Sequence, residues 1–392
     1  MKVIFVRYGS ILEPDIIDTF KEFGLEVIEY SREITVKNDL PSEALTRFYE
    51  FVDKNPCDFI FSINFFPYVS ELANILHLRY VSWVVDAPVL ELYTSAITNR
   101  YNRTFIFDRA VYDEIHPLNP DCVFHLPLAG SVIKRTAVIN STPVTKRQKF
   151  SHDIVFVGSL YSEKNPLASA SGLSEYTKGY IEGIMKAQES VYGYYFIEEL
   201  LTDDIVAEVK NSVQGFPAPP EKSFLTDKRI VSQEYIGNAI TALERDDTFR
   251  MLSEHFHTTI YTGSDTTGLP KLENRGLAKS QEEMPVIFHG SKININTTSK
   301  PIRTGLPLRI FDILSCGGFC ISNYQAEIPE LFVPGEEIVM YESLDELQEL
   351  CAYYLDHESE RRQIAEAGFE KLKKCYTYET VLQKLLYTAF SS

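Results

Sequence analysis

Short apolar runs alternate with amphipathic stretches along the first 130 positions of the chain. Residues 3–6, 59–63, 80–85, 105–107 and 123–126 are apolar runs of strand length, while 14–23 and 42–52 carry apolar positions at helical spacing. Strands apolar on both faces, separated by helices, predict a parallel sheet covered on each side. The same pattern returns at 154–157, 258–262, 293–297, 319–322 and 337–341, so a second sheet is expected. Between about 165 and 256 helical periodicity dominates, with helices predicted at 174–190, 191–201 and 231–252. The tyrosines there (Tyr176, Tyr180, Tyr192, Tyr194, Tyr195) read as the packing face of a small bundle, with sugar stacking as the other reading. Three helices follow the second sheet, at 344–355, 359–375 and 378–390. The fold class expected is α/β: a Rossmann-like domain over 1–146, a second over 147–376 with a helical insertion at about 165–256, and a terminal helix over 377–392.

Composition narrows the function classes. A chain of 392 residues with 44% hydrophobic and 24% charged positions holds two full cores. A net charge of −17 argues against a nucleic-acid surface or an electrostatic hold on anionic lipid. No apolar run reaches the ~20 residues that a membrane span needs. The six cysteines form no CxxC pair, which points to reduced thiols and a cytoplasmic protein. Residues 134–149 mix cations with Ser, Thr, Asn and Pro and read as a linker.

Chemistry concentrates at 295–323. After a short strand, Lys300, Pro301, Arg303, Thr304 and Gly305 form a loop. Pro307 then suits the first turn of a helix whose apolar side is Leu308, Ile310, Phe311 and Leu314. A loop with two cations leading into a helix start, with Arg309 one position inside it, suits an anionic group such as a diphosphate. Asp312, one turn on, is placed to accept hydrogen bonds from sugar or ribose hydroxyls. Arg309 and Asp312 would equally make an ordinary ion pair at i, i+3.

Two other stretches carry candidates. Gly158 and Ser159 directly follow a strand, with Lys164 a few residues on, and a glycine there lets a diphosphate approach the backbone. In the first domain Asn64, Asp86 and Asp108 fall just after strands, where ligands of such sheets bind. Asp86 is the candidate base that takes a proton from an acceptor hydroxyl, with a helix cap or a partner for Arg100 or Arg109 as the alternative. Asp108 reads as a structural partner of Arg109, His125 as a core histidine, and His289 as a residue that borders the nucleotide.

The string GLPLRIFDILSCGGFCISNYQAEIPELFVPGEEIVMYESLDEL (305–347) resembles the nucleotide-sugar-binding half of GT-B glycosyltransferases, most closely the family of the spore maturation protein CgeB. YVSWVVDAPVLELY and TFIFDRAVYDE extend the resemblance more weakly into the first half. It implies two Rossmann-like domains facing each other across a cleft, with the last helix packing back on the first. Related transferases carry two glutamates separated by seven residues, and Thr304 and Asp312 take those places here; only the second keeps a carboxylate. The donor-binding residues expected are then Gly158, Ser159, Lys164, Arg303, Thr304, Gly305, Leu306, Arg309, Asp312 and Glu327. The implied reaction moves a sugar from a nucleotide-sugar, UDP-linked, to a protein or glycan acceptor such as flagellin or another surface component. It needs no metal and no cofactor beyond that co-substrate. A nucleotide-sugar epimerase on the same fold and a non-catalytic sugar-nucleotide-binding scaffold remain alternatives, and the stereochemical course stays open.

Overall fold

The computed structural model describes residues 1–32, 41–220 and 223–391. The chain divides into two compact units. Unit 1 comprises Met1–Ala129, Pro220–Leu225 and Tyr376–Ser392; unit 2 comprises Gly130–Pro219 and Thr226–Cys375.

Unit 1 is built on six parallel strands: β1 (Lys2–Val6), β2 (Glu26–Tyr30), β3 (Phe59–Ile63), β4 (Arg79–Val84), β5 (Asn102–Ile106) and β6 (Val123–His125). Their spatial order is β2-β1-β3-β4-β5-β6. All five residues of β3 are buried, because strands lie on both sides of it and helices cover both faces. The terminal helix Tyr378–Ser391 closes one face. Its Phe390 ring sits 5.2 Å from Phe59, with the Arg79 guanidinium over it at 5.0 Å, and Tyr378 meets Trp83 edge-on at 6.3 Å. The segment Pro220–Leu225 also belongs to this unit: Phe224 N donates to the Tyr93 carbonyl at 2.6 Å, and Leu225 packs on its core.

Unit 2 repeats the plan with a different winding. Strands β7 (Ile154–Val157), β8 (Thr258–Tyr261), β9 (Glu273–Asn274), β10 (Ile293–Asn296), β11 (Cys320–Asn323) and β12 (Val339–Tyr341) are parallel, in the order β12-β11-β10-β7-β8-β9. The insertion has its own core, including Ile181, Ile184, Ile197, Ile205, Val231 and Ile240. Its long helix Gly237–His255 continues past that core, and Phe249 and Leu252 join Phe156 in the core of the sheet.

Two local expectations are corrected. Residues 134–149 are not a linker: they fold as the helices Val132–Ser141 and Val144–Arg147, and Val132, Arg135 and Ile139 form a buried stripe at helical spacing. Of the helix expected at 191–201 only Ile197–Leu200 forms. Gly193 takes φ +76° and the ring of Tyr324 lies where a Cβ would stand, so the chain turns there. The strand β2 and the helices Pro67–Leu76, Arg109–Ile115 and Asp203–Ser212 are additions to the sequence reading. Among the described residues no helix is long and apolar enough to cross a membrane.

Candidate active site

In open parallel sheets a ligand crevice opens beyond the carboxyl ends of the strands, where neighbouring strands send their connections in opposite directions. In unit 2 that point lies between β7 and β10. The loops that flank it are 158–164 and 297–307, the two stretches singled out from the sequence.

The ends of β10 and β11 are unusually polar for buried strands. Asn294, Asn296, Thr297, Thr298, Ser299, Ser322 and Asn323 are all buried. Buried polar groups need partners, and four of these residues form one network. Asn296 Nδ2 donates to Thr298 Oγ1 at 3.0 Å and to Ser322 Oγ at 2.9 Å, and Thr298 N donates to Asn323 Oδ1 at 2.8 Å. The insertion pins the next residues. Lys300 N donates to Thr241 Oγ1 at 3.0 Å, and its buried ammonium lies 3.3 Å from Glu244 and 4.7 Å from the Tyr192 ring centre.

Each expected donor residue has a definite place. Thr304 Oγ1 donates to Glu327 Oε1 at 2.8 Å, and Glu327 N donates to the Thr304 carbonyl at 3.1 Å. Glu327 is fully buried, so a carboxylate from the loop after β11 reaches the position where Thr304 stands in place of a glutamate. Gly305 and Leu306 are buried beneath. Arg303 is half-buried, with its charge felt at the phenol of Tyr195. Arg309 and Asp312 lie on the helix Leu308–Ser315 and pair with each other at 3.1 Å. The Arg309 side chain lies over Phe288 and 3.8 Å from Met284 Sδ, and burial pushes its pKa down.

The loop after β7 is already engaged. Ser159 Oγ donates to Glu163 Oε1 at 2.6 Å and accepts from Tyr161 N at 2.8 Å. Gly158 is explained by packing: a Cβ there would stand 2.9 Å from the Phe156 ring. Lys164 is exposed, its ammonium over Tyr161 at 4.9 Å. His289 lies elsewhere. Its Nδ1 is 2.9 Å from the Cys316 carbonyl oxygen, and it lines a cavity of about 560 Å³ with Lys292, Phe319 and Arg361, at the amino ends of the strands. Bordering the crevice was the wrong expectation for it.

Sequence reasoning missed Arg245. Its Nη1 donates to the Ser159 carbonyl at 2.5 Å and its Nη2 to the Thr297 carbonyl at 2.6 Å. The guanidinium thus bridges the ends of β7 and β10. In sequence it is one charge among several in a helical run, and helical periodicity carries no sign of a partner 86 residues away.

In unit 1 the corresponding switch lies between β1 and β3. Tyr8, Asn64 and Asp86 converge there from the ends of β1, β3 and β4. Asp86 Oδ2 accepts from Asn64 Nδ2 at 2.7 Å and from Tyr8 OH at 3.2 Å. Asn64, held at φ 59°, accepts from Val85 N at 3.0 Å through its Oδ1. Burial first, then the Asp86 charge, raises the pKa of the Tyr8 phenol. Asp86 itself is exposed. Asp108 is the N-cap of the helix Arg109–Ile115, accepting from Val111 N at 3.0 Å, and His125 Nε2 lies 3.2 Å from the Phe107 carbonyl oxygen. Tyr8 was the missed member, since nothing local marks a tyrosine after a strand.

Residues 245–387, under half of the chain, match the family model described as glycosyl transferase-like. No curated protein sequence matches the chain. Among solved structures, HepE from Anabaena in complex with UDP and glucose is similar over 100% of both chains at 11% identity, TM-score 0.57. Sucrose-phosphate synthase from Thermosynechococcus elongatus matches over 100% of this chain and 99% of its own, at 10% identity and TM-score 0.55. The lipopolysaccharide outer core galactosyltransferase WaaB, apo form, matches over 100% and 99%, at 12% identity and TM-score 0.51. The glycosyl transferase-like region and the GT-B fold of the whole chain together support a glycosyltransferase enzyme.

Proposed function

We propose that the protein transfers a sugar from a UDP-sugar to a hydroxyl of a protein or glycan acceptor, without a metal ion. The observation that carries this reading is the crevice between β7 and β10, where the buried Arg245 and Lys300 and the half-buried Arg303 surround polar strand ends. Fixed positive charge at that point stabilises a diphosphate as it leaves. Uridine is the base of choice because HepE, which shares the fold, is described with UDP and glucose. Glu327 and Asp312 are assigned to donor hydroxyls. Asp86 is assigned as the base: the acceptor oxygen bonds to the anomeric carbon, its proton passes to Asp86, and the bond to the diphosphate breaks. We also place the chain with the CgeB-like transferases, on the string 305–347. All six cysteines are free, which suits action in the reducing cytoplasm.

The test is a thermal-shift screen against UDP, GDP, CDP and their sugars, with Mg²⁺ and with EDTA. A ligand that binds only the folded state raises the melting temperature by mass action. Selective stabilisation by UDP-sugar that persists in EDTA is expected. A shift that needs Mg²⁺ would remove metal independence, and no shift with any nucleotide would remove the donor site.

A further inference from the structure

We infer that Arg245 is the cation that prepares the second unit for a diphosphate, by tying the two loops of the crevice together and leaving a positive charge uncompensated between them. The inference rests on the donor-site reading above.

The argument starts from what a buried guanidinium needs. Arg245 is 8% exposed, and burial pushes its pKa down. Taking a cation out of water is costly unless an anion accompanies it. Its Nη atoms donate to two carbonyl oxygens, those of Ser159 and Thr297. The Tyr161 and Phe156 rings lie 4.6 and 5.4 Å from the guanidinium carbon. Carbonyl dipoles and ring faces stabilise a cation but leave its net charge in place. Nε is buried with no partner. Glu244, the adjacent carboxylate, raises the Arg245 pKa electrostatically but is in ion-pair contact with Lys300, and Arg309 adds positive potential that lowers it.

Position makes this specific. The two carbonyls belong to the residues just beyond β7 and β10, the strands on either side of the switch point. Tyr161, under the guanidinium, is a non-glycine residue at φ 67°, a conformation that persists only where its surroundings fix it. Arg245 is therefore a positioning residue: it holds both loops in register and contributes its field to an anion bound there.

The experiment compares wild type with Arg245→Met for binding of uridine, UMP and UDP by calorimetry, with unliganded melting temperature as the folding control. A residue that acts through charge discriminates by phosphate number. Arg245→Met is expected to weaken UDP about tenfold, UMP less, and uridine within about twofold. If the variant does not fold, Arg245→Gln, which keeps a donor for one carbonyl and loses the charge, makes the same comparison. Arg245→Lys is expected to restore part of the dependence on phosphate number. An equal loss for all three ligands, or none, overturns the role of Arg245 while the donor site stands. Failure of wild type to bind any of the three removes the donor reading itself, and this inference with it.

Discussion

The two sheets end in chemically different edges. At the switch point of unit 1, Tyr8, Asn64 and Asp86 form a small hydrogen-bonded group around one exposed carboxylate. At that of unit 2 the edge is buried, carries Arg245 and Lys300, and is cross-linked by asparagine, serine and threonine side chains. Two sheets of the same parallel architecture thus offer opposite services. An exposed carboxylate suits a proton that comes and goes with solvent. Buried cations on fixed dipoles suit a ligand whose charge must be held, because the low dielectric strengthens every such interaction.

The largest effect that follows is a split between turnover and binding. Asp86→Asn keeps the hydrogen bond from Asn64 but loses the basic lone pair. Removing a general base typically costs ~10²–10⁴-fold in rate. UDP release from the UDP-sugar, with water as acceptor, should fall by that range, and UDP affinity should stay within about twofold. Equal losses in both would place Asp86 with the donor and erase the contrast between the edges.

The second prediction concerns stability. Lys300 and Glu244 are a buried pair, with side chains 9% and 3% exposed. Lys300→Met leaves the Glu244 carboxylate buried without its cation, which costs ~3–5 kcal/mol. Adding Glu244→Met should recover much of the loss, because two apolar chains replace two charges. Chemical denaturation of wild type and the two variants measures this. A Lys300→Met change under ~1 kcal/mol would mean that the second edge is far wetter than its burial implies.

Acid should act on unit 2 as well. His152, just before β7, is buried with Nε2 2.9 Å from the Tyr261 hydroxyl, and burial first, then Arg275, lowers its pKa to about 4. In the unfolded chain this histidine takes up its proton near the ordinary value of 6.5. Between those values the unfolded state binds the extra proton, so stability is fully present above pH 6.5 and declines as pH falls toward 4. The loss reaches up to about 3 kcal/mol, from 1.36 kcal/mol per pKa unit. His152→Gln should flatten the melting-temperature profile across that window. An unchanged slope would assign the acid response to other groups.

Legibility in the sequence followed distance along the chain. The strand 154–157 and the helix start after Pro307 were readable because their signals, apolar runs and a proline at the first turn, are local. The Rossmann-like order of elements followed from their alternation. The helix Val132–Ser141 was hidden because one of its three buried positions is the cation Arg135 while the apolar Ile133 is exposed, which breaks the amphipathic pattern. Partnerships were the least legible. Thr304 looked like a lost charge until Glu327, 23 residues on, proved to be its hydrogen-bond partner. Arg245 meets Ser159 across 86 residues and Thr297 across 52, and no periodicity encodes that.

The smallest effect separates two cations that the sequence offered as donor-binding residues. Lys164 is exposed, on a turn where Glu163 already holds Ser159. Arg309 is half-buried and paired with Asp312. An exposed ammonium acts on an anion through water and salt, and contributes well under ~1 kcal/mol. A partly buried guanidinium is screened less, although Asp312 offsets part of its charge. Arg309→Ala should therefore weaken UDP-sugar binding by ~1 kcal/mol, about fivefold, and Lys164→Ala by a few tenths. The salt dependence sharpens this: the Lys164→Ala difference should vanish in high salt while most of the Arg309→Ala difference remains. Equal affinity of wild type and Arg309→Ala would confine that arginine to its ion pair with Asp312 and leave Arg245 and Arg303 as the proposed cations of the donor site.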